Sequence, residues 1–414
     1  MDTDHPDDWA MATTLAHAGS HPAEHWGFVN TPVYRGSTVV FPDVDTMAVN
    51  GQRYQYGRIR NPSSDALCEA IAGLEQAQGT VLTPSGLSAC TFAMLAVLDA
   101  GDHFLVPDNV YAPVRDFCDS AARRFGIDTT YYDPLAGAGI EALFRPNTRA
   151  VFTEAPGSHT FEVPDIPAIA EVARRRGALV LMDNTWATPL YLKPLLLGVD
   201  VSILAATKYV AGHSDALIGA VSANTRAWTR VAAFHKQMGM HVGPDDITLA
   251  LRGLRTMELR LQRHQSSALA IARWLEAQPQ VARVLHPALE SHPQHAIWKR
   301  DFCGSTGVFS FVTAQAPFEA VKAMLDGLRL FALGRSWGGF ESLAMTLDPR
   351  VIRSATAWNE PGHLVRLQIG LEDPQDLIAD LAAGLARFRA ACAPAASSRR
   401  RKARQVFRGK VADR

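Results

Sequence analysis

Between about residue 64 and residue 220 the apolar positions alternate between two patterns. Stretches with helical spacing predict helices over 65–76, 85–98, 113–125 and 166–176. Short apolar runs predict strands over 80–83, 103–107, 149–152 and 178–183, with a further strand-like segment just before Lys208. Helix and strand patterns alternating at this spacing predict an α/β fold with a mostly parallel sheet and helices on both faces. Ligands of such sheets bind at the carboxyl ends of the strands.

The flanking segments read differently. Residues 1–55 lack strong periodicity and are expected to form an N-terminal arm, with a large ligand-binding domain over 56–245. A long helical pattern over 245–278 carries Leu249, Leu251, Leu254, Leu259, Leu261, Leu269, Ile271 and Leu275 on its apolar stripe. It is expected to link the first domain to a smaller C-terminal α/β domain within 246–392, with strands near 281–285, 306–312 and 365–371 and helices near 317–328 and 373–390. No internal repeat is present.

With 414 residues, 47% of them hydrophobic, the chain can bury a large core. Formal charge is zero overall, but Ser397 to Arg414 hold eight of the 41 Lys and Arg and one of the 41 Asp and Glu, so the body is about −7 and the tail about +7. Such a body does not read as a nucleic-acid binder, and residues 393–414 are expected to be a disordered basic tail. The five cysteines (Cys68, Cys90, Cys118, Cys303, Cys392) are scattered without metal-binding spacing and read as buried thiols of a reducing compartment. An acidic N-terminus and the lack of a long apolar run point to a soluble, cytoplasmic protein with no membrane or metal partner.

Candidate chemistry gathers where strands are expected to end. Lys208 lies in Ser202-Ile-Leu-Ala-Ala-Thr-Lys-Tyr-Val-Ala-Gly-His-Ser-Asp215, and a desolvated lysine there can carry a carbonyl group as a Schiff base. Twenty-five residues earlier the apolar run 178–182 ends on Asp183. Thr83-Pro-Ser-Gly-Leu-Ser-Ala89 crosses a strand-to-helix junction, where Ser85 and Gly86 either cap the helix or offer N–H groups to a phosphate. Tyr56 and Arg58, in Tyr54-Gln-Tyr-Gly-Arg-Ile-Arg-Asn-Pro62, are either phosphate ligands or loop residues. Tyr111 could stack on an aromatic ring or pack in the core, and Arg366, inside an apolar run, calls for an anionic partner such as a substrate carboxylate.

In this order, from Thr13-Thr-Leu-Ala-His-Ala-Gly19 to about Phe388, these segments resemble the cysteine/methionine-metabolism family of pyridoxal-phosphate enzymes, the cystathionine lyases and synthases. The resemblance implies the aspartate-aminotransferase-like fold of type I pyridoxal-phosphate enzymes, with pyridoxal 5′-phosphate as cofactor. It implies that Lys208 carries the cofactor, Asp183 pairs with its ring nitrogen, Tyr111 stacks on the ring, and Ser85, Gly86, Leu87 and Thr207 bind its phosphate. Tyr56 and Arg58 would complete that phosphate site from a neighbouring subunit, making the protein a homo-oligomer, expected as a homotetramer. Arg366 would hold the substrate α-carboxylate, with Ser336, Trp337, Tyr111 and Tyr56 as further substrate contacts.

Glu154-Ala-Pro-Gly-Ser158 and Trp337 follow the pattern of the members that β-eliminate L-cystathionine to homocysteine, pyruvate and ammonia, and Arg252-Gly-Leu-Arg-Thr256 and Arg300-Asp-Phe-Cys-Gly-Ser305 fit as well. Ala205 departs from the broader family, which commonly has a phosphate-binding serine there. The alternatives are a γ-acting lyase or synthase, a cysteine or cystine desulfhydrase, and a non-catalytic binding role, the last disfavoured by the full set of site residues.

Overall fold

The computed structural model describes residues 9–392; the tail expected over 393–414 lies outside them. The larger sheet holds seven strands: β1 (Gly79–Thr83), β2 (His103–Pro107), β3 (Asp128–Tyr132), β4 (Thr148–Glu154), β5 (Leu179–Asp183), β6 (Val201–Leu204) and β7 (Gly219–Ala223). Their spatial order is β1-β7-β6-β5-β4-β2-β3, parallel from β3 through β6, with β7 antiparallel to both its neighbours.

The period of two along these strands sends alternate side chains to two cores. Leu105, Val151, Val180 and Met182 join Leu67, Ile71 and Leu74 of helix Pro62–Glu75. Phe104, Val106, Phe152 and Leu181 join Phe92 and Met94 of helix Gly86–Val97 on the other face. With both faces covered, the strand ends are the remaining place for a ligand.

Two strands of this sheet are absent from the sequence expectation. β3 reads Asp-Thr-Thr-Tyr-Tyr and is half-exposed at the sheet edge, so it lacks an apolar signature. β7 reads Gly-Ala-Val-Ser-Ala, small because a Cβ on Gly219 would lie 2.3 Å from the Ser85 carbonyl oxygen. The helix expected over 113–125 runs over 112–124, with a π-turn at Cys118–Ala122 within it.

The second sheet has five strands, β8 (Val281–Leu285), β9 (Val308–Thr313), β10 (Ala332–Leu333), β11 (Leu343–Leu347) and β12 (Leu364–Gln368), in the order β10-β11-β12-β9-β8. Only the β10–β11 pair is parallel. Phe309, Phe311, Val365 and Leu367 pack under helices Phe318–Leu325 and Pro374–Cys392. The strands at Ala332–Leu333 and Leu343–Leu347 are likewise additions to the sequence reading.

The long helix expected over 245–278 is two helices, Pro244–Leu254 and Met257–Glu276. The break has a packing cause: a Cβ on Gly253 would lie 2.1 Å from the Ala211 carbonyl oxygen, so the backbone presses against the segment following Lys208. Arg260 Nη2 then donates to the freed Gly253 carbonyl at 2.7 Å and to that of Val210 at 3.4 Å. The N-terminal arm contains the short helices Met11–His17 and Val44–Ala48, and Arg255 Nη1 donates to the Leu15 carbonyl at 2.7 Å. Among the described residues no helix is long and apolar enough to cross a membrane.

Candidate active site

A cavity of about 230 Å³ opens where the ends of β4, β5 and β6 face the start of β9 and the segment between β10 and β11. Ser85, Gly86, Leu87, Tyr111, Asp183, Thr207, Lys208, Trp337 and Arg366 all line it, so nine of the residues singled out in the sequence meet in one place. Ser336 joins through Lys208, whose Nζ donates to Ser336 Oγ at 2.6 Å and lies 5.3 Å from the centre of the Trp337 ring system. Tyr56 and Arg58 do not line this cavity; the Arg58 guanidinium lies 5.9 Å from the Tyr56 ring and Nη1 reaches the Lys236 carbonyl at 3.5 Å.

Burial, and then the nearby Arg366 charge, lower the Lys208 ammonium to about 8 against the opposing pull of Asp183. About a tenth of it is therefore a free amine at pH 7, against a negligible share for an ordinary lysine. Asp183 is fixed by its own turn: Oδ1 accepts from the Thr185 N–H at 2.9 Å and from its hydroxyl, while the Cys90 thiol approaches Oδ2 at 3.7 Å. Burial raises the Asp183 carboxyl, and the Thr185 and Cys90 donors and the Lys208 charge pull it back.

In the sequence, Glu154 figures only as the start of a motif, with no role beside Asp183. Glu154 is the register partner of Asp183 across β4 and β5, accepts the Tyr111 N–H at 2.8 Å, and is bonded by the Ser158 hydroxyl. Burial and the neighbouring Asp183 push Glu154 up to about 8, against those two donors. With more donors and Lys208 at hand, Asp183 is the better anion and the proton of the pair belongs on Glu154. A strand expected to stop at residue 152 hid this signal; extended by two residues, it puts two acids side by side.

Tyr111 is the N-cap of its helix, with its ring lining the cavity. Burial and the acids Cys90, Asp183 and Glu154 raise its phenol, so it stays protonated, with Arg366 pulling the other way. Arg366, on β12, is buried; its Nη2 donates to the carbonyls of Arg335 at 2.7 Å and Ser336 at 3.2 Å. No carboxylate pairs with it among the described residues, and burial lowers it to about 10. This leaves Nε and Nη1 for an incoming anion.

The anion-binding end is built from backbone. Ser85 caps helix Gly86–Val97 by a reciprocal pair, accepting from the Ser88 N–H at 3.1 Å while its own N–H donates to Ser88 Oγ at 2.8 Å. The next N–H groups, of Gly86 and Leu87, have no acceptor within the helix. A Cβ on Gly86 would lie 2.4 Å from the Ala205 Cβ, so the small residue at 205 and the glycine at 86 fit each other. Thr207 Oγ1 is engaged with Ile218, donating to its carbonyl at 3.1 Å and accepting its N–H at 2.9 Å. With its hydroxyl already pinning this turn, Thr207 has little left to make up for the missing serine at 205. A helix N-terminus for phosphate, a low-pKa amine and a buried acid for a ring nitrogen are a donor set that fits pyridoxal phosphate.

The residues 12–386 match the family described as Cys/Met metabolism PLP-dependent enzyme. The chain belongs to that family. It is 54% identical to a Rhizobium johnstonii protein over 90% of this chain and 95% of the relative. It is 43% identical to the cystathionine beta-lyase of Salmonella typhimurium, over 92% of this chain and 99% of that one. The solved cystathionine gamma synthase of Xanthomonas oryzae pv. oryzae superposes with a TM-score of 0.85 at 33% identity, covering 92% of this chain and 99% of that one. The family places the chain among pyridoxal-phosphate-dependent enzymes of type I fold, as the sequence motifs implied.

Proposed function

We propose that the protein is a carbon–sulfur lyase that splits L-cystathionine by β-elimination into homocysteine, pyruvate and ammonia. The observation that carries this reading is the placement of the Trp337 indole 5.3 Å from Lys208 Nζ, in a cavity that also holds Arg366. An indole there narrows the space beyond the reacting carbon. The relative from Salmonella typhimurium, named cystathionine beta-lyase, supports the same reading.

Bound pyridoxal phosphate supplies an electron sink for the pair left when Cα loses its proton. Lys208 would hold the cofactor, and its amine is placed to take the Cα proton as general base. Asp183, which accepts from the Thr185 N–H, would hold a proton on the ring nitrogen. The Gly86 and Leu87 N–H groups with Ser85 would hold the phosphate, and Tyr111 would cover the ring. Arg366 holds the α-carboxylate, and Ser336 orients the Lys208 amine at 2.6 Å. The Cβ–S bond then breaks, the thiolate is protonated, and water completes the release of pyruvate and ammonia.

Tyr56 and Arg58 are assigned to the phosphate end of a partner subunit's cavity, since they lie outside their own. The arm supports such an assembly: Trp26 is 87% exposed and Val40 84%, with Phe28, Val29, Val44, Met47 and Val49 also open. A homotetramer built from such dimers, working in the cytoplasm, is part of this reading, as are an N-terminal arm over 1–55, a cofactor domain over 56–245 and a C-terminal domain over 246–392. Product analysis tests the function: pyruvate and homocysteine in equal amounts are expected from L-cystathionine, whereas 2-oxobutyrate and cysteine as main products would overturn β-elimination.

A further inference from the structure

One side chain in the cavity is used by none of these steps. His159 lines it, yet among the described residues neither of its ring nitrogens has a hydrogen bond; Nδ1 is buried, so Nε2 is the nitrogen left to face the open space. Its backbone is in the left-handed region, at φ 67°. Such a conformation persists only where its surroundings hold it.

Those surroundings are specific. Gly157 N–H donates to the Glu162 carbonyl at 2.9 Å and Phe161 N–H to the Gly157 carbonyl at 3.1 Å, closing a tight loop around His159. On one side the Ser158 hydroxyl is tied to Glu154; on the other Thr160 Oγ1 bonds Glu162 and accepts from Arg353 Nη2 at 2.7 Å. A Cβ on Gly157 would fall 1.9 Å from Asn109 Nδ2, so the loop also lies flat on the segment leading to Tyr111. His159 is therefore fixed in place from both sides, in reach of the Arg366 field, with its polar edge unsatisfied.

Arg366 has a complementary shortfall. Its Nη2 is committed to two main-chain carbonyls, so only part of its guanidinium fork is open to a carboxylate. We propose that His159 Nε2 is a second hydrogen-bond donor to the substrate carboxylate held by Arg366, and so helps decide which amines the cavity accepts. The proposal rests on Arg366 being the carboxylate site, and not on the identity of the thioether.

The protonation state agrees with this. Burial, with Arg366 adding to it, drops the imidazole to about 3, so the ring is neutral and carries one N–H. A carboxylate offers only acceptors, which places that hydrogen on Nε2 when the ligand is bound. The tautomer is then set by the ligand.

The test uses the holoenzyme and two small ligands that differ only in the carboxylate, glycine and methylamine, each titrated by the change in the visible cofactor band. His159→Gly removes the donor and tolerates the positive φ; His159→Asn tolerates it too and keeps a donor. Glycine affinity is expected to fall about tenfold in His159→Gly and less in His159→Asn, with methylamine affinity unchanged in both. Equal glycine affinity in His159→Gly and the unmodified protein, or an equal loss for both ligands, overturns the proposal. Should His159→Gly not fold, the unmodified enzyme decides: glycine must slow acylation of His159 by diethyl pyrocarbonate more than methylamine does, and no difference refutes the assignment. An enzyme that binds glycine in this way but leaves cystathionine intact would remove the lyase reading alone.

Discussion

Lys208 is held between charges of opposite effect, burial and Arg366 favouring its neutral amine and Asp183 its ammonium, with a result of about 8. Only the neutral form adds to an aldehyde, so capture of pyridoxal phosphate by the stripped protein should quicken about tenfold per pH unit below 8 and level off above it, as read by stopped-flow absorbance. Lys208→Ala should lose both the visible band and all elimination. Gly86→Ala forces a methyl into Ala205, which should loosen the phosphate end; cofactor affinity is expected to fall about tenfold, roughly 1.4 kcal/mol, in a titration of the stripped protein. Lys208, Asp183 and Ser85 were legible in the sequence because each sits where an apolar run stops. Glu154 and His159 were not, because their chemistry comes from a strand register and from a loop packed against a distant turn.

At the next scale, the segment between β11 and β12 is fastened to the cofactor sheet through Asp108. Its buried carboxylate accepts the N–H groups of Ser354, Ala355 and Thr356 at 2.8, 3.0 and 2.7 Å and pairs with Arg115 at 2.6 Å. Burial pushes this carboxyl up, and the hydrogen bonds from Ser354, Thr356 and Ala355 more than reverse it, leaving it below its ordinary value. A lowered folded-state pKa contributes stability above the unfolded value of about 3.9 that is lost as pH falls through the folded one. Asp108→Asn should cost roughly 3 kcal/mol by leaving Arg115 buried beside a neutral group, and should flatten the acid limb of a melting-temperature profile. Helices and apolar strands were legible at this scale; β3 and β7, polar or small-residue strands, and the break at Gly253 were not, since a close approach between backbones leaves no periodic trace.

For the whole molecule, the cavity joins two sheets, with Lys208 following β6 and Arg366 on β12. The two-part α/β plan was visible in the spacing of the elements, whereas the antiparallel character of the second sheet was not, because strand direction depends on connections that span many residues. An assembly sharing its sites makes a definite demand. Mixed under subunit exchange, inactive Arg58→Ala and Lys208→Ala proteins should regain part of the activity, and no recovery despite proven exchange would return Arg58 to its own subunit. Removing 393–414 should leave activity and assembly size unchanged, as measured by turnover and light scattering.

Arg366 has a consequence for anyone handling the protein. A buried guanidinium whose partners among the described residues are main-chain carbonyls retains its positive charge, and before substrate arrives it is expected to take up small anions from solution. Acetate or formate buffers should therefore act as competitive inhibitors, raising KM while leaving kcat alone, and should raise the melting temperature in proportion to the logarithm of their concentration. Amine buffers with chloride at the same ionic strength are the reference. The apparent appetite of this enzyme for its substrate is in part a property of the salt it is dissolved in.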